Sequence, residues 1–567
     1  MHADSPDAET SLLSLIAGSG QRKSPTTADT GRWPWLQPWQ QRSGNAAAKP
    51  PARCDGGGST KMAAQAASYL ATSPAYASLE LNEQSARLVE RMARDTVTIR
   101  AIRQGNWSQL AEQDIDSLID GLARSFPNGD CTYLAHIEHT GIYMSPEEVH
   151  LVALLLRTPV CNVRELTLRN VSLTSAGARV LAKALKDNTR LRRLDLAENA
   201  LNGAAIRRLC RKLNKVSLLQ GLDLARNPIG PRGIAALFPQ PDRKLSYFAT
   251  LNGTGAPKRH RQHQHPHHSS TTTTTKSHGK LARAVPMHSF MPLVQLNVRD
   301  TALGPEGMQL LARLVATKRT LRWLNAAGNH GGVAGTEAMA HVLADPTLRL
   351  ARLSLESNDI GVQGGKAIAR ALLTNVALTH LHLPRNNLKD EGVEAIARAL
   401  CSNHTVRYLQ LEFNGITQTG ARSLGDTLRE NNVLRGLQLK FNFVGDDGCR
   451  VLADALTANT SLEHISLCNN QLTDACTDYL VQALARNRAL QHLSLAQNRA
   501  LGPEGHRRLA ETLLKHNTTL KSIRLDYEFP DWAPIYETVQ ASAVLRQQRQ
   551  RQRQQHVIDP LLICQSN

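Results

Sequence analysis

The chain has 567 residues with a formal net charge of +19, and 41% of it is hydrophobic but only 4% aromatic. One hydrophobic core stops growing at roughly 250–300 residues, so this length implies either several domains or an array in which each unit packs only on its neighbours. The nine cysteines are odd in number and include no CxxC, which excludes a disulfide framework or a zinc ribbon as the organising principle.

Residues 1–62 are rich in Gly, Ser, Pro, Gln and Ala and read as a disordered N-terminal region, with "WPWLQPW" inside it. "MHADSPDAET" lacks the charged-then-apolar pattern of a secretory leader, and no apolar run reaches the ~18 residues a membrane-spanning helix needs. A reducing, cytoplasmic setting is therefore expected, with cysteines acting as small hydrophobes. Residues 63–160 read as a helical N-terminal cap with a degenerate repeat near Ile137 and Ile142, placed to cover the open apolar end of a repeat array.

From residue 161 to 528 one pattern recurs. A Leu-x-Leu core falls at Leu166/Leu168, Leu194/Leu196, Leu222/Leu224, Leu296/Val298, Leu324/Ala326, Leu353/Leu355, Leu381/Leu383, Leu409/Leu411, Leu437/Leu439, Ile465/Leu467, Leu493/Leu495 and Ile523/Leu525. Most steps are 28 residues. Three residues past the core stands an asparagine: Asn199, Asn227, Asn329, Asn358, Asn386, Asn414, Asn442, Asn470 and Asn498. An Asn side chain carries both donors and acceptors, so a column of them can bond the turning backbone of successive units. Six residues further comes Gly in many units, then an amphipathic stretch such as "VEAIARAL", with Val393, Ile396, Ala397 and Leu400 on one face. Many of these helices end in Asn (Asn375, Asn403 and Asn431 among them), read as left-handed helix stops.

A strand, a turn and a helix in every unit give parallel strands on one side and helices on the other. Strands stack at ~4.8 Å but helices need ~10 Å of width, so the array must curve with the sheet inside. The pattern LxxLxLxxNxLxxxGxxxLxxxL resembles the ribonuclease-inhibitor-like leucine-rich repeats. The resemblance implies an α/β leucine-rich-repeat solenoid of about twelve units: a horseshoe with a concave parallel β-sheet, convex helices and a protein-binding role. That family also includes Ran-type GTPase activators and cytoskeletal and axonemal scaffold proteins, so the resemblance implies a binding fold without naming a partner.

The array is interrupted between Leu222 and Leu296 by a basic, His/Thr-rich insert read as disordered at 239–280. The wider stretch 239–290 holds eight basic residues against one acid, more than a third of the net charge. Its seven histidines (His260, His263, His265, His267, His268, His278 and His288) read as a solvated low-complexity loop, because nothing fixes a coordination geometry. Residues 529–567 read as a C-terminal cap followed by the Arg/Gln-rich tail "RQQRQRQRQQ" at 546–555. Insert and tail are both suited to acidic surfaces.

The motif search for chemistry comes back empty. "GVQGGKA" at 361–367 misses the phosphate-loop pattern and lies in repeat register, and there is no GxSxG or HExxH. No catalytic residue, metal site or cofactor is expected. Function is expected instead on strand residues that point away from the helices. The candidates are Trp323, Arg352, Glu356, His380, His382, Tyr408, Glu412 and Lys440, with Phe413 and Phe441 at the strand-exit rim, a footprint over the fifth to ninth units. His464 and His492 are expected to be neighbours on adjacent strands and read as surface polar residues. The leading expectation is a non-catalytic interaction module whose protein partner is acidic in part. A Ran-type GTPase activator and an RNA- or ribonucleoprotein-binding protein using the basic insert and tail are the alternatives.

Overall fold

The computed structural model describes residues 98–99, 101–102, 106–125, 134–158, 162–186, 188–216, 218–238 and 291–525. The N-terminal region 1–62, the insert and the segment 529–567 lie outside the described residues, as do most of 63–105 and Glu528.

In chain order the elements are α1 (Glu112–Ser125), β1 (His136–Thr140), α2 (Pro146–Arg157), β2 (Glu165–Arg169), α3 (Ser175–Ala184), β3 (Arg193–Asp195), α4 (Gly203–Val216), β4 (Gly221–Asp223) and α5 (Gly230–Ala235). Next come β5 (Gln295–Asn297), α6 (Gly304–Thr317), β6 (Trp323–Asn325), α7 (Gly332–Leu343), β7 (Arg352–Ser354), α8 (Gly361–Leu372), β8 (His380–His382), α9 (Lys389–Ser402) and β9 (Tyr408–Gln410). The series closes with α10 (Gln418–Glu430), β10 (Gly436–Gln438), α11 (Gly445–Ala458), β11 (His464–Ser466), α12 (Thr477–Arg486), β12 (His492–Ser494), α13 (Pro503–Lys515) and β13 (Ser522–Arg524).

The strands form one sheet in the order β1 to β13, each parallel to the next. Leucines pair with leucines across it: Leu353 with Leu381, Leu381 with Leu409, Leu409 with Leu437. Leu222 of β4 pairs directly with Leu296 of β5, so the insert leaves the frame untouched. This is the leucine-rich-repeat solenoid the period implies, with one more strand than the twelve regular units. The extra one, β1, is the degenerate repeat. It buries Ile137 and His139 as its core pair and leaves Ile142 exposed, which corrects the placing of Ile142 in that repeat's core. The apparent phosphate loop Gly361–Ala367 is the first turns of α8.

Between sheet and helices runs a continuous apolar layer of the Leu-x-Leu side chains and helix residues such as Val393, Ile396, Ala397 and Leu400, all essentially inaccessible. Burying each large aliphatic side chain stabilises the array by about 1.5–3 kcal/mol.

Two asparagine columns hold the turns. The first is the expected one. Asn386 donates from Nδ2 to the carbonyls of Leu355 (2.8 Å), Leu383 and Pro384, and its own amide donates to Oδ1 of Asn414 in the next unit (3.1 Å). Thr301 stands in for Asn by donating to the Val298 carbonyl. The second column is made of the helix-ending asparagines, and it corrects their reading as left-handed stops. Asn403 has φ −89° and ψ 121°, an extended conformation, and Asn431, Asn459 and Asn487 are alike. Asn403 Nδ2 donates to the carbonyls of Leu372 (2.8 Å) and Asn375 in the preceding unit, while its Oδ1 accepts from the amides of Thr405 and Val406. Each such Asn ties off the previous helix and launches the next strand. In the unit after the insert Lys318 occupies this place, and its Nζ donates to the Met291 carbonyl (3.1 Å).

Candidate binding face

Strand alternation sends the core leucines toward the helices and every second residue to the opposite face. Pairing in register turns those residues into rows that run across the strands. The first row reads Gln295, Trp323, Arg352, His380, Tyr408, Gly436, His464, His492 and Ser522. The second contains Ser354, His382, Gln410, Gln438 and Ser466, and the residues two further on include Glu356, Glu412 and Lys440.

The structure brings most of the expected site residues into contact. The His380 and Tyr408 rings stack with centroids 4.6 Å apart. Gly436 makes this possible. A Cβ there would lie 2.6 Å from Tyr408 Cδ1, so only glycine lets the ring lie across β10. Phe413 and Phe441 stack at 4.3 Å with planes 9° apart, and the Arg385 guanidinium lies 4.0 Å above Phe413. These three residues share the left-handed backbone that precedes a ladder asparagine, with φ of 57°, 55° and 56°, and so line up along one rim. Trp323 lies in register with Arg352 at the edge of the cluster. Among the described residues, neither Arg352 nor Arg407 forms an ion pair with this chain's carboxylates, whereas Glu356 is engaged by Arg299 at 2.9 Å.

The face is less open than alternation alone implies. Gln410, Gln438, Ser466 and Ser494 point away from the helices yet are buried, because longer side chains in the flanking rows close over them. Burial governs the titration of the face. It pushes His380 down to about 4, assisted by the Arg352 and Arg407 charges, and His382 down to about 3, assisted by His380 and Arg352. Both rings are therefore neutral at physiological pH. Burial pushes the Glu412 carboxyl up to about 7, partly opposed by Lys440.

The two ends of the face differ from its middle. On β2–β5, burial pushes the Asp223 carboxyl up to about 7. Arg169 donates to Asp195 (2.8 Å) and Asp223 (3.1 Å), and Asn297 also donates to Asp223, so these acids are satisfied internally. On β11 and β12, His464 and His492 are neighbours as expected, with rings stacked at 4.6 Å. Burial pushes both down to about 4. Parallel stacking does not converge their nitrogens on one point, and among the described residues no group of three or more His, Cys, Asp or Glu is arranged to hold a metal ion.

One exposed aromatic escaped the sequence reading. Phe443 is 54% exposed, one residue past Asn442 and close in sequence to Phe441. The signal was available, since the matching positions in neighbouring units are Asp359, Asn387 and Gly415.

A family model described as Leucine Rich repeat matches residues 217–238, 350–369, 374–397 and 402–425. Among solved structures, the chain is similar to one described as the Rad7 and Elc1 complex in yeast, at 14% identity and TM-score 0.42, over 79% of this chain and 96% of that one. It is also similar to the tropomodulin C-terminal domain of Caenorhabditis elegans, at 12% identity and TM-score 0.23, over 38% and 97%. A third similar structure is Leiomodin-1 Actin-Binding Site 2, at 18% identity and TM-score 0.21, over 30% and 82%. A search of curated proteins gives no match.

Proposed function

We propose that this chain, a leucine-rich-repeat protein, is a non-catalytic interaction module of the ribonuclease-inhibitor-like type. It grips a protein partner with the open face of β6–β10. The subtype rests on the 28-residue period and on the α-helix carried by nearly every unit. The observation that carries the binding reading is the cluster on that face: Trp323, Arg352, the His380–Tyr408 stack and the Phe413–Phe441 stack, in a chain with only 4% aromatics. Aromatic and arginine side chains concentrate binding energy at interfaces.

Arg352 and Arg407, lacking carboxylate partners among the described residues, suit acidic groups of the partner along the first row. Among the described residues no helix is long and apolar enough to cross a membrane. A cytoplasmic scaffold, associated with the cytoskeleton, is the setting that accords with this reading.

The test is affinity capture from the cells that make the protein, comparing the native chain with the W323A/Y408A/K440A variant. Losing three central contacts worth about 1–2 kcal/mol each lowers affinity at least about a hundredfold, so the principal captured protein disappears. Unchanged recovery from a variant with native circular dichroism would remove the footprint from β6–β10.

A further inference from the structure

Buried polar atoms normally find hydrogen-bond partners, so the exceptions are informative. Here they gather in one place. His382 Nε2, Glu412 Oε2 and both amide atoms of Gln438 are buried without a hydrogen-bond partner, on the three consecutive strands β8, β9 and β10. Gln438 is only 1% exposed. Gln410 lies between His382 and Gln438 in register and is itself buried.

The other carboxylates along this face have cations of their own. Glu165 meets His136 and Arg193, Asp195 and Asp223 share Arg169, and Glu356 takes the Arg299 guanidinium. Arg299 reaches Glu356 from two strands away, passing the small Ala327. Glu412 occupies the equivalent place two strands further on. Among the described residues it forms no ion pair. The nearest arginine along the rim, Arg385, is stacked on Phe413 instead.

We propose that His382, Gln410, Glu412 and Gln438 form a socket for one arginine side chain of the protein partner. The proposal rests on the reading of β6–β10 as the binding face. A guanidinium presents five N–H donors in a planar fork, which suits the Glu412 carboxylate and the Gln438 amide oxygen together. The orphan atoms lie just beneath the face, and rotamer changes of Glu412 and Gln438, ordinary on association, present them. The charged and titratable groups around Glu412 are Glu356 and Arg352 on and beyond β7, His380, His382 and Arg385 on and beyond β8, and Lys440 beyond β10. The histidines are neutral above pH 5. Glu412 is thus the group in the socket that changes charge near neutrality, and a bound cation favours its ionised form.

The test uses the full chain and acetyl-arginine amide as probe, read by saturation-transfer difference NMR. Acetyl-lysine amide, acetyl-glutamine amide and acetyl-glutamate amide serve as comparisons. The arginine probe should bind best, about tenfold more tightly at pH 8 than at pH 6, as expected for a carboxylate ionising near 7. E412Q should remove both the preference and the pH dependence, Q438L should weaken binding severalfold, and E412D should restore part of it. Equal binding to E412Q, or equal binding of the glutamine probe, overturns the socket. Capture of the cellular partner separates this from the broader reading. If W323A/Y408A/K440A loses the partner while E412Q keeps it at native strength, the face is right and the partner's arginine is wrong.

Discussion

Replacing Asn414 with alanine is expected to destabilise the protein by about 3 kcal/mol, since four backbone groups lose a partner and each buried orphan costs roughly 1–3 kcal/mol before relaxation. Asn414 Oδ1 accepts from the amides of Asn386 (3.1 Å) and Leu388 (3.2 Å), and its Nδ2 donates to the carbonyls of Leu383 (2.9 Å) and Glu412 (3.3 Å). The residue is completely buried, so water does not replace the side chain. Because each unit packs only on its neighbours, the damage should concentrate around β8–β10. Urea unfolding should show the loss, and hydrogen exchange should accelerate first at the amides of Asn386 and Leu388. A loss below about 1 kcal/mol, with exchange unchanged, would show that the asparagine column does not hold the turns.

The second large effect has the opposite sign. Lys318 is 6% exposed, and burial pushes its ammonium down to about 8 from an ordinary value of 10.5, with Cys210 opposing weakly. A group whose folded value is depressed binds fewer protons folded than unfolded, so stability rises with pH between about 8 and 10.5. Below pH 8 the full penalty applies, about 3 kcal/mol for a shift of this size. Lys318→Met should remove it at the loss of one hydrogen bond to Met291, leaving the protein about 2 kcal/mol more stable at pH 7. The gain should vanish by pH 10.5, where the native lysine is neutral in both states. Urea midpoints at pH 7 and pH 10.5 check both parts. A variant less stable at pH 7, or with the same gain at both pH values, would contradict a burial penalty at Lys318.

Why a lysine stands there is explained by its place. The helix-ending asparagine of other units reaches a carbonyl of the preceding helix, but the unit before Lys318 contains the insert. The longer side chain reaches Met291, where the described chain resumes.

The period and the strand positions were legible in the sequence because each unit repeats one local instruction: Leu-x-Leu, a turn Asn, an amphipathic helix. The rows across the face were legible too, since register is set by a constant repeat length. Lateral chemistry was not. That Asn403 serves the carbonyl of Leu372, or that Arg299 crosses to Glu356, depends on partners one or two units away, which a reading of one unit at a time does not see. The left-handed reading of the helix-ending asparagines failed for this reason. Their preference for such turns is a local property, and the neighbouring unit's unpaired carbonyls outweigh it. Burial of Gln410 and Gln438 was hidden likewise, because alternation gives direction but not the height of the side chains on either side.

The central claim is that a partner meets the strand face rather than the helix layer. Hydroxyl-radical footprinting of the captured complex tests it most directly, with exposed aromatics reporting from both sides. Binding should protect Trp323, Tyr408, Phe413 and Phe441 from oxidation and leave Tyr479 of α12, exposed among the helices, as reactive as in the free chain. Protection of Tyr479 with the four face residues unchanged would place the partner on the other side and contradict the claim.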